Sequence, residues 1–236
     1  MIIATYTDIG SRPVNEDTVK YVKNDKGSLC VVVADGLGGH GGGETASRIT
    51  AKTICDGWNG STDGGALEEL IQKAHKKVVA RQVKTCMMKS TVTALWLTKN
   101  HATWAHAGDT RIYHFIDGKL VFQTKDHSAS QIAVTLGQIK PSQIRFSEDR
   151  SRVLKAVGQE GTLTPEVGEE DLVPGKHAFL LCTDGFWEYV LENEMEADLR
   201  EACGPKDWLA KMLRRLMKQI PPDNDNHTAA AVWMDV

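Results

Sequence analysis

Four aspartates in this chain stand where short apolar runs meet polar residues. Val31-Val32-Val33-Ala34 runs directly into Asp35-Gly36, and Phe179-Leu180-Leu181-Cys182 runs into Thr183-Asp184-Gly185. Asp109 follows Ala107-Gly108, and Asp225 lies just ahead of the apolar stretch Ala229–Trp233. A buried strand that ends in a carboxylate is costly unless a positive charge neutralises it. Four such carboxylates in one chain predict convergence on metal ions. Oxygen ligands of this kind select hard cations, Mg²⁺ or Mn²⁺, over zinc.

The glycine-rich stretch behind Asp35 admits a competing chemistry. Gly36-Leu37-Gly38-Gly39-His40-Gly41 satisfies the G-x-G-x-x-G pattern of a dinucleotide loop, between an apolar strand and a helix. Asp35 argues against it, because a carboxylate beside the first glycine repels a pyrophosphate. The following segment is also a second helix, where that fold needs a strand bearing a ribose-binding acid. No Gly-Lys-Ser/Thr follows, which removes a Walker loop. A tight turn that brings the Asp35 carboxylate and a backbone carbonyl to one ion explains both the acid and the glycines.

Two further segments carry charge in suggestive patterns. Ser11-Arg12-Pro13-Val14-Asn15-Glu16-Asp17 sets an arginine just ahead of two acids. Such a cluster is usually a solvated turn, yet arginine is also the side chain best shaped to grip a phosphate with two parallel hydrogen bonds. Asp223-Asn224-Asp225-Asn226 imitates the start of a calcium loop. Thr228 at its sixth position and Met234 at its twelfth, instead of Gly and Glu, rule that out.

The elements that position these residues come in blocks. Strands are expected at Ile2–Thr7, Thr18–Val22 and Leu29–Ala34, then helices at Gly43–Trp58 and Ala66–Val83. Strands resume at Thr91–Thr98, Thr103–Ala107, Arg111–Ile116 and Lys119–Thr124, the last two joined by the hairpin signal Asp117-Gly118. His127–Arg150 reads as a short helix and a polar, mobile insertion interrupted at Pro141. A strand at His177–Thr183, helices at Glu192–Cys203 and Pro205–Gln219, and a strand at Thr228–Trp233 complete the chain. This grouping predicts an α+β layered fold, not a doubly wound sheet, in a single domain over residues 1–236.

Bulk properties exclude several function classes. The chain has 236 residues, 41% of them hydrophobic, with a net charge of −3, so neither a nucleic-acid nor a membrane-surface footprint is expected. Its five cysteines, at 30, 55, 86, 182 and 203, have no CxxC spacing. They predict neither a disulfide framework nor a zinc site, and they fit a reducing cytosol. The first residues turn polar too quickly for a signal peptide, and no apolar run approaches the ~18 residues of a membrane helix. The expectation is a cytoplasmic protein, monomeric by default.

Taken in series, the motifs resemble the metal-dependent protein phosphatase family, the PP2C type of serine/threonine phosphatase. They are Arg12…Asn15-Glu16-Asp17, Asp35-Gly36-Leu37-Gly38-Gly39-His40, Gly108-Asp109-Thr110-Arg111, Asp126-His127-Ser128, Thr183-Asp184-Gly185 and Asp225-Asn226-His227-Thr228. The compact length and the Gly-Gly-His ending resemble the bacterial branch. The resemblance implies a central antiparallel β-sandwich flanked by helices on both sides, with metals at one end between the sheets. It implies that Asp35 bridges two Mn²⁺ or Mg²⁺ ions and that the Gly36 carbonyl helps hold the second. Asp184 and Asp225 are implied for the first ion, and Glu16 and Asp17 for the second, directly or through its waters. Asp109 with Asp184 is implied for a third, weaker ion, and Arg12 for the substrate phosphate.

Paired cations of this kind lower the pKa of a shared water and hold it in line with phosphorus, so no phosphoenzyme is needed. The implied substrates are phosphoserine and phosphothreonine proteins, with a cognate bacterial Ser/Thr kinase and its targets as partners. The segment 127–150 lies where bacterial relatives carry a flap. Three departures stand out. Leu37 replaces the histidine proposed as general acid in many relatives, which leaves His40 as the nearest candidate, with a structural role in the turn its equal alternative. Ser90-Thr91-Val92-Thr93 stands where Gly-Thr-Thr is usual, and Thr110 replaces a serine. From a different class, a phosphatase-like binding module without turnover is the main alternative, although such modules lose metal acids and this chain keeps Asp17, Asp35, Asp109, Asp184 and Asp225.

Overall fold

The computed structural model describes residues 1–37 and 41–236. Strands β1 (Ile2–Asp8), β2 (Thr18–Lys23), β3 (Leu29–Ala34) and the short β4 (Gly36–Leu37) open the chain. Helices α1 (Gly43–Gly57) and α2 (Gly64–Val79) follow. Next come β5 (Lys89–Ser90), β6 (Val92–Leu97), β7 (His101–Ala107), β8 (Arg111–Ile116) and β9 (Lys119–Gln123). Helix α3 (Ala129–Thr135) and a 3₁₀ turn at Pro141–Phe146 lead to β10 (Glu166–Asp171) and β11 (Lys176–Cys182). Helices α4 (Asp184–Trp187), α5 (Glu192–Glu201) and α6 (Pro205–Gln219) precede the final strand β12 (His227–Asp235).

Two five-stranded antiparallel sheets form the centre, ordered β1-β12-β11-β8-β9 and β10-β7-β6-β3-β2. Residue alternation explains the layering. In β3, Leu29, Val31 and Val33 face the opposite sheet and, with Leu95 of the neighbouring β6, pack onto Phe179, Leu181 and Val232. Cys30 and Val32 point the other way, onto Ile54 of α1 and Leu67, Ile71 and Val78 of α2. In the sheet containing β11, Leu180 and Cys182 likewise face Met195, Trp208 and Met212 of α5 and α6. A strand buried on both faces has no polar side to show, hence its unbroken apolar sequence. The α+β sandwich with helices on both sides is as expected. All five cysteines are free thiols, and among the described residues no helix is long and apolar enough to cross a membrane.

The differences from expectation have local causes. Strand β10 was not anticipated, because Glu-Val-Gly-Glu-Glu-Asp lacks the apolar period; as an edge strand beside β7 it pairs on one side only and keeps three of its four acids in solvent, Glu170 being half-buried against His114. The strand expected at Thr91–Thr98 runs as β6 (Val92–Leu97), with the two-residue β5 set off from it at Thr91. At the β8–β9 hairpin, Asp117 and Gly118 both take positive φ, 48° and 78°, as a type I′ turn requires.

The segment His127–Arg150 is pinned rather than wholly polar and loose. Ile144 packs into the core under α5 and α6, and buried Arg145 donates to the carbonyls of Trp187 and Val190 and to the carboxylate of Glu192. Beside it, Arg111 makes a bidentate pair with buried Asp126 (2.8 and 2.7 Å), and its guanidinium lies 3.4 Å over the Trp187 ring. Removing one partner of such a pair strands a charge in low dielectric. Arg111→Ala is therefore expected to lose about 3–5 kcal/mol in urea unfolding, and the double variant Arg111→Met/Asp126→Leu clearly less. Equal losses in both would show that packing, not charge pairing, carries the stability.

Candidate active site

At one end of the sandwich the chain delivers its acids into a cleft of about 480 Å³. Arg12, Glu16, Asp35, Gly36, Asp109, Asp184 and Asp225 line it, together with Leu37, Ser151 and Val153. Seven of the sequence-predicted site residues thus share one cavity. Asp17 stands behind the wall, buried, where it accepts a hydrogen bond from Thr183 Oγ1 at 2.9 Å. His40, the candidate general acid, lies outside the described residues.

Backbone hydrogen bonds fix where each acid emerges. Asp35 leaves β3 and is strapped by Thr91, whose Oγ1 accepts from the Asp35 amide (3.1 Å) and whose amide donates to the Asp35 carbonyl (2.8 Å). The same hydroxyl meets Thr110 beside Asp109. The gap between β5 and β6 therefore falls where the chain holds two acids in register. Gly36 is required by contact: a Cβ there would lie 2.3 Å from Gly43 at the start of α1. Its amide donates to the Glu16 carbonyl, which also accepts from Ser47 Oγ.

Asn226 ties the remaining loop. It accepts from the Glu16 amide (2.8 Å) and donates to the carbonyls of Ile9 and Val14, so the segment carrying Arg12 and Glu16 is stitched to the start of β12. Asp184 opens the short helix α4, its carboxylate accepting from the Gly185 amide (2.7 Å). Trp187, one turn on, donates from its indole to the Asp109 carbonyl at 2.9 Å. Thr91, Asn226, Thr183 and Trp187 were not singled out as site residues. Thr183 and Asn226 adjoin the predicted acids Asp184 and Asp225 in sequence, whereas Thr91 and Trp187 are identified only by the contacts they make in space.

Burial and mutual repulsion dominate the electrostatics. Desolvation pushes Asp17 up to about 7 and Asp184 up to about 6, with neighbouring aspartates adding to both. Asp35 and Asp109 are raised well above the usual carboxylate range, again by burial first and then by the surrounding acids. Glu16 is raised by burial, against the pull of the Gly43 amide. The nearest cation in the cleft is Arg12, half exposed at the rim, and its guanidinium is engaged by both oxygens of Asp225 (3.1 and 2.9 Å). Asp17 Oδ1 is buried without any hydrogen-bond partner. This donor set, all oxygen, crowded and uncompensated, fits hard divalent cations.

Comparison with known proteins agrees with the geometry. A family match described as protein phosphatase 2C spans residues 7–227. The chain belongs to the protein phosphatase 2C family. A putative protein phosphatase 2C-type protein of Streptococcus pyogenes is 30% identical over 205 residues, covering 83% of this chain and 82% of that one. The crystal structure of the serine/threonine phosphatase Stp1 from Staphylococcus aureus superposes with a TM-score of 0.89 at 23% identity, covering 99% of this chain and 95% of the other. The catalytic domain of the phosphatase PstP, solved with two manganese ions, superposes at 0.82 with 24% identity over 99% of this chain and 98% of its own.

Crowded acids in a protein phosphatase 2C chain should make the metal-free protein sensitive to pH. A carboxyl whose folded pKa is raised stabilises the fold while protonated. That contribution is full below the unfolded value near 4 and is lost as pH rises through the folded values of about 6 for Asp184 and 7 for Asp17. The metal-free melting temperature should therefore fall between pH 5 and pH 7.5. Asp184→Asn should melt higher than wild type without metal at pH 7.5, yet gain little from added Mn²⁺. A metal-free melting temperature that rises over this range would overturn the electrostatic reading.

Proposed function

We propose that this protein phosphatase 2C enzyme hydrolyses phosphoserine and phosphothreonine in proteins, with residues 1–236 acting as one catalytic unit. The observation that carries the reading is the cleft itself: five carboxylates and one arginine around a cavity large enough for a phosphate, in a family of phosphatases. Divalent-metal dependence follows from the all-oxygen donor set and from the manganese in a structural relative. Mn²⁺ or Mg²⁺, two ions with a third weaker site, suits these donors. Asp35 and the Gly36 carbonyl, with Asp184, Asp225 and Glu16, would hold the principal ions. Asp109 with Asp184 would serve the third, and Asp17 would act from behind through waters. Bound there, such ions supply an activated water and offset charge on the transferring phosphoryl group.

The chain's own residues do the rest. Arg12 sits on the rim and exchanges the Asp225 carboxylate for a phosphate, a fork-to-fork trade between two anions of similar geometry. Asn226 keeps that arginine and Glu16 on one rigid loop. Thr91 and Trp187 fix the carbonyl ends of Asp35 and Asp109, so the acids are placed before substrate arrives. Leu37 lines the cleft where a histidine acid is proposed in many relatives, which leaves protonation of the leaving hydroxyl to His40 or to solvent. Substrates are phosphoproteins of a cognate bacterial Ser/Thr kinase, and the working form is a cytoplasmic monomer with no nucleic-acid or membrane partner.

Phosphate release from a phosphothreonine peptide tests this directly. Activity should require Mn²⁺ or Mg²⁺ and stop in chelator, and Asp184→Asn should lower kcat roughly 10²–10³-fold. Full activity in chelator would sink the metal mechanism, and peptide binding without turnover under any metal would point to a binding module. Arg12→Ala should cost about 1.5–3 kcal/mol in kcat/KM, the range of hydrogen bonds to charged groups, with Arg12→Lys between it and wild type. Unchanged kcat/KM in Arg12→Ala would remove Arg12 from phosphate binding.

A further inference from the structure

Outside the cleft, on the far side of Gly108, His106, His127 and Glu166 come together. One donor atom from each lies within 4.8 Å of the others. His106 leaves β7, Glu166 opens the neighbouring edge strand β10 directly opposite it, and His127 follows Asp126 on the loop after β9. The two imidazoles stack at 4.6 Å. His127 Nε2 stands 3.6 Å from a Glu166 oxygen. Two donors of a tetrahedral ion are about 3.4 Å apart when each bond is about 2.1 Å, so this pair is already near chelating distance.

His106 supplies the most telling feature. Its Nε2 is 2.9 Å from the Lys125 carbonyl, which fixes the proton on that nitrogen. The remaining nitrogen, Nδ1, is then an unprotonated lone pair, and it is buried with no hydrogen-bond partner on a residue only 1% exposed. A ring held by a backbone carbonyl through one nitrogen and left free at the other is how metal-binding histidines are usually oriented. Burial, aided by the Lys155 ammonium, lowers the pKa of both rings and takes His127 down to about 3, so both are neutral at pH 7. Glu166 is 59% exposed at its side chain, which opens the cluster to solvent for entry and for a fourth ligand.

We propose that His106, His127 and Glu166 form a second metal site, distinct from the acid cleft, for a borderline cation such as Zn²⁺, Co²⁺ or Ni²⁺. Two imidazoles and one carboxylate favour such ions over the Mg²⁺ and Mn²⁺ suited to the cleft. Binding has a local cost. His127 Nδ1 accepts a long hydrogen bond, 3.3 Å, from the Gly108 amide, and coordination through Nε2 moves the His127 proton to Nδ1 and breaks that bond. The His127 amide still donates to the Gly108 carbonyl at 2.8 Å. The ion thus loosens one of two ties on the residue that precedes Asp109.

Titration of the metal-free protein with Co²⁺, followed by visible absorption, tests the site without any need for turnover. One equivalent should give an intense low-symmetry ligand-field band. That band should persist in Asp184→Asn, which disables the cleft. It should weaken in affinity by at least about tenfold in Glu166→Gln and His106→Gln, since even outer-sphere changes cost that much. Glu166 lies on an exposed edge, so Glu166→Gln reports even if His106→Gln does not fold. A missing band, a band unaffected by Glu166→Gln, or one lost in Asp184→Asn would each overturn the proposal.

Discussion

Crowding of carboxylates at one end of the sandwich is the constraint to which the rest of the structure answers. Asp17, Asp35, Asp109 and Asp184 are all pushed toward protonation by burial and by one another. No protein that left this charge unbalanced would favour such packing, and Arg12 compensates only Asp225. The fold therefore holds, at its functional end, an electrostatic debt that bound cations would discharge. The same repulsion that would weaken the metal-free chain would give the cleft its affinity for hard ions.

A sandwich is well suited to hold acids in this way. Strands buried on both faces cannot carry charge along their length, so charged groups emerge only where a strand stops. Asp35 follows the last residue of β3 and Asp184 sits two residues past β11, each from a different sheet. Side-chain hydroxyls then fix them: Thr91 joins Asp35 to Thr110, and Thr183 joins Asp17 to the start of β12. The helix layers contribute by contact, as where Gly36 and Gly43 meet with no room for a side chain. Rigidity at the site is thus inherited from the ladder ends.

Much of this was legible in the sequence because it follows from one-dimensional pattern. Continuous apolar runs marked β3 and β11, the Asp-Gly pair marked a type I′ hairpin, and the acids after the runs marked the cleft. The hidden parts depend on pairing across distance. Strand β10 gave no signal, since an acidic edge strand needs apolar contact on one face only, and Gly168 there lets the backbone approach Trp104. Arg145 sat in a segment of polar composition, yet its guanidinium is buried against carbonyls from α4 and the following turn. The engagement of Arg12 by Asp225 joins residues 213 apart in sequence. Asp17, expected at the second ion directly or through its waters, lies buried behind the cavity wall.

Gly108 separates two donor chemistries, and the separation itself has a physical reason. It takes a φ of 114° and packs against Thr91, so the chain turns sharply between His106 and Asp109. On one side the donors are carboxylates; on the other they are two neutral imidazoles and one exposed acid. Nitrogen donors raise affinity most for ions late in the first transition row, which bind almost any mixed site more tightly than Mg²⁺ or Mn²⁺. A histidine placed among the cleft acids would therefore invite zinc into a site whose chemistry suits a harder, more labile ion. Among the described residues the cleft is lined by carboxylates and one arginine as its charged groups, with no imidazole, and that donor set suits the harder ions. The turn at Gly108 lets one loop serve both environments without mixing them.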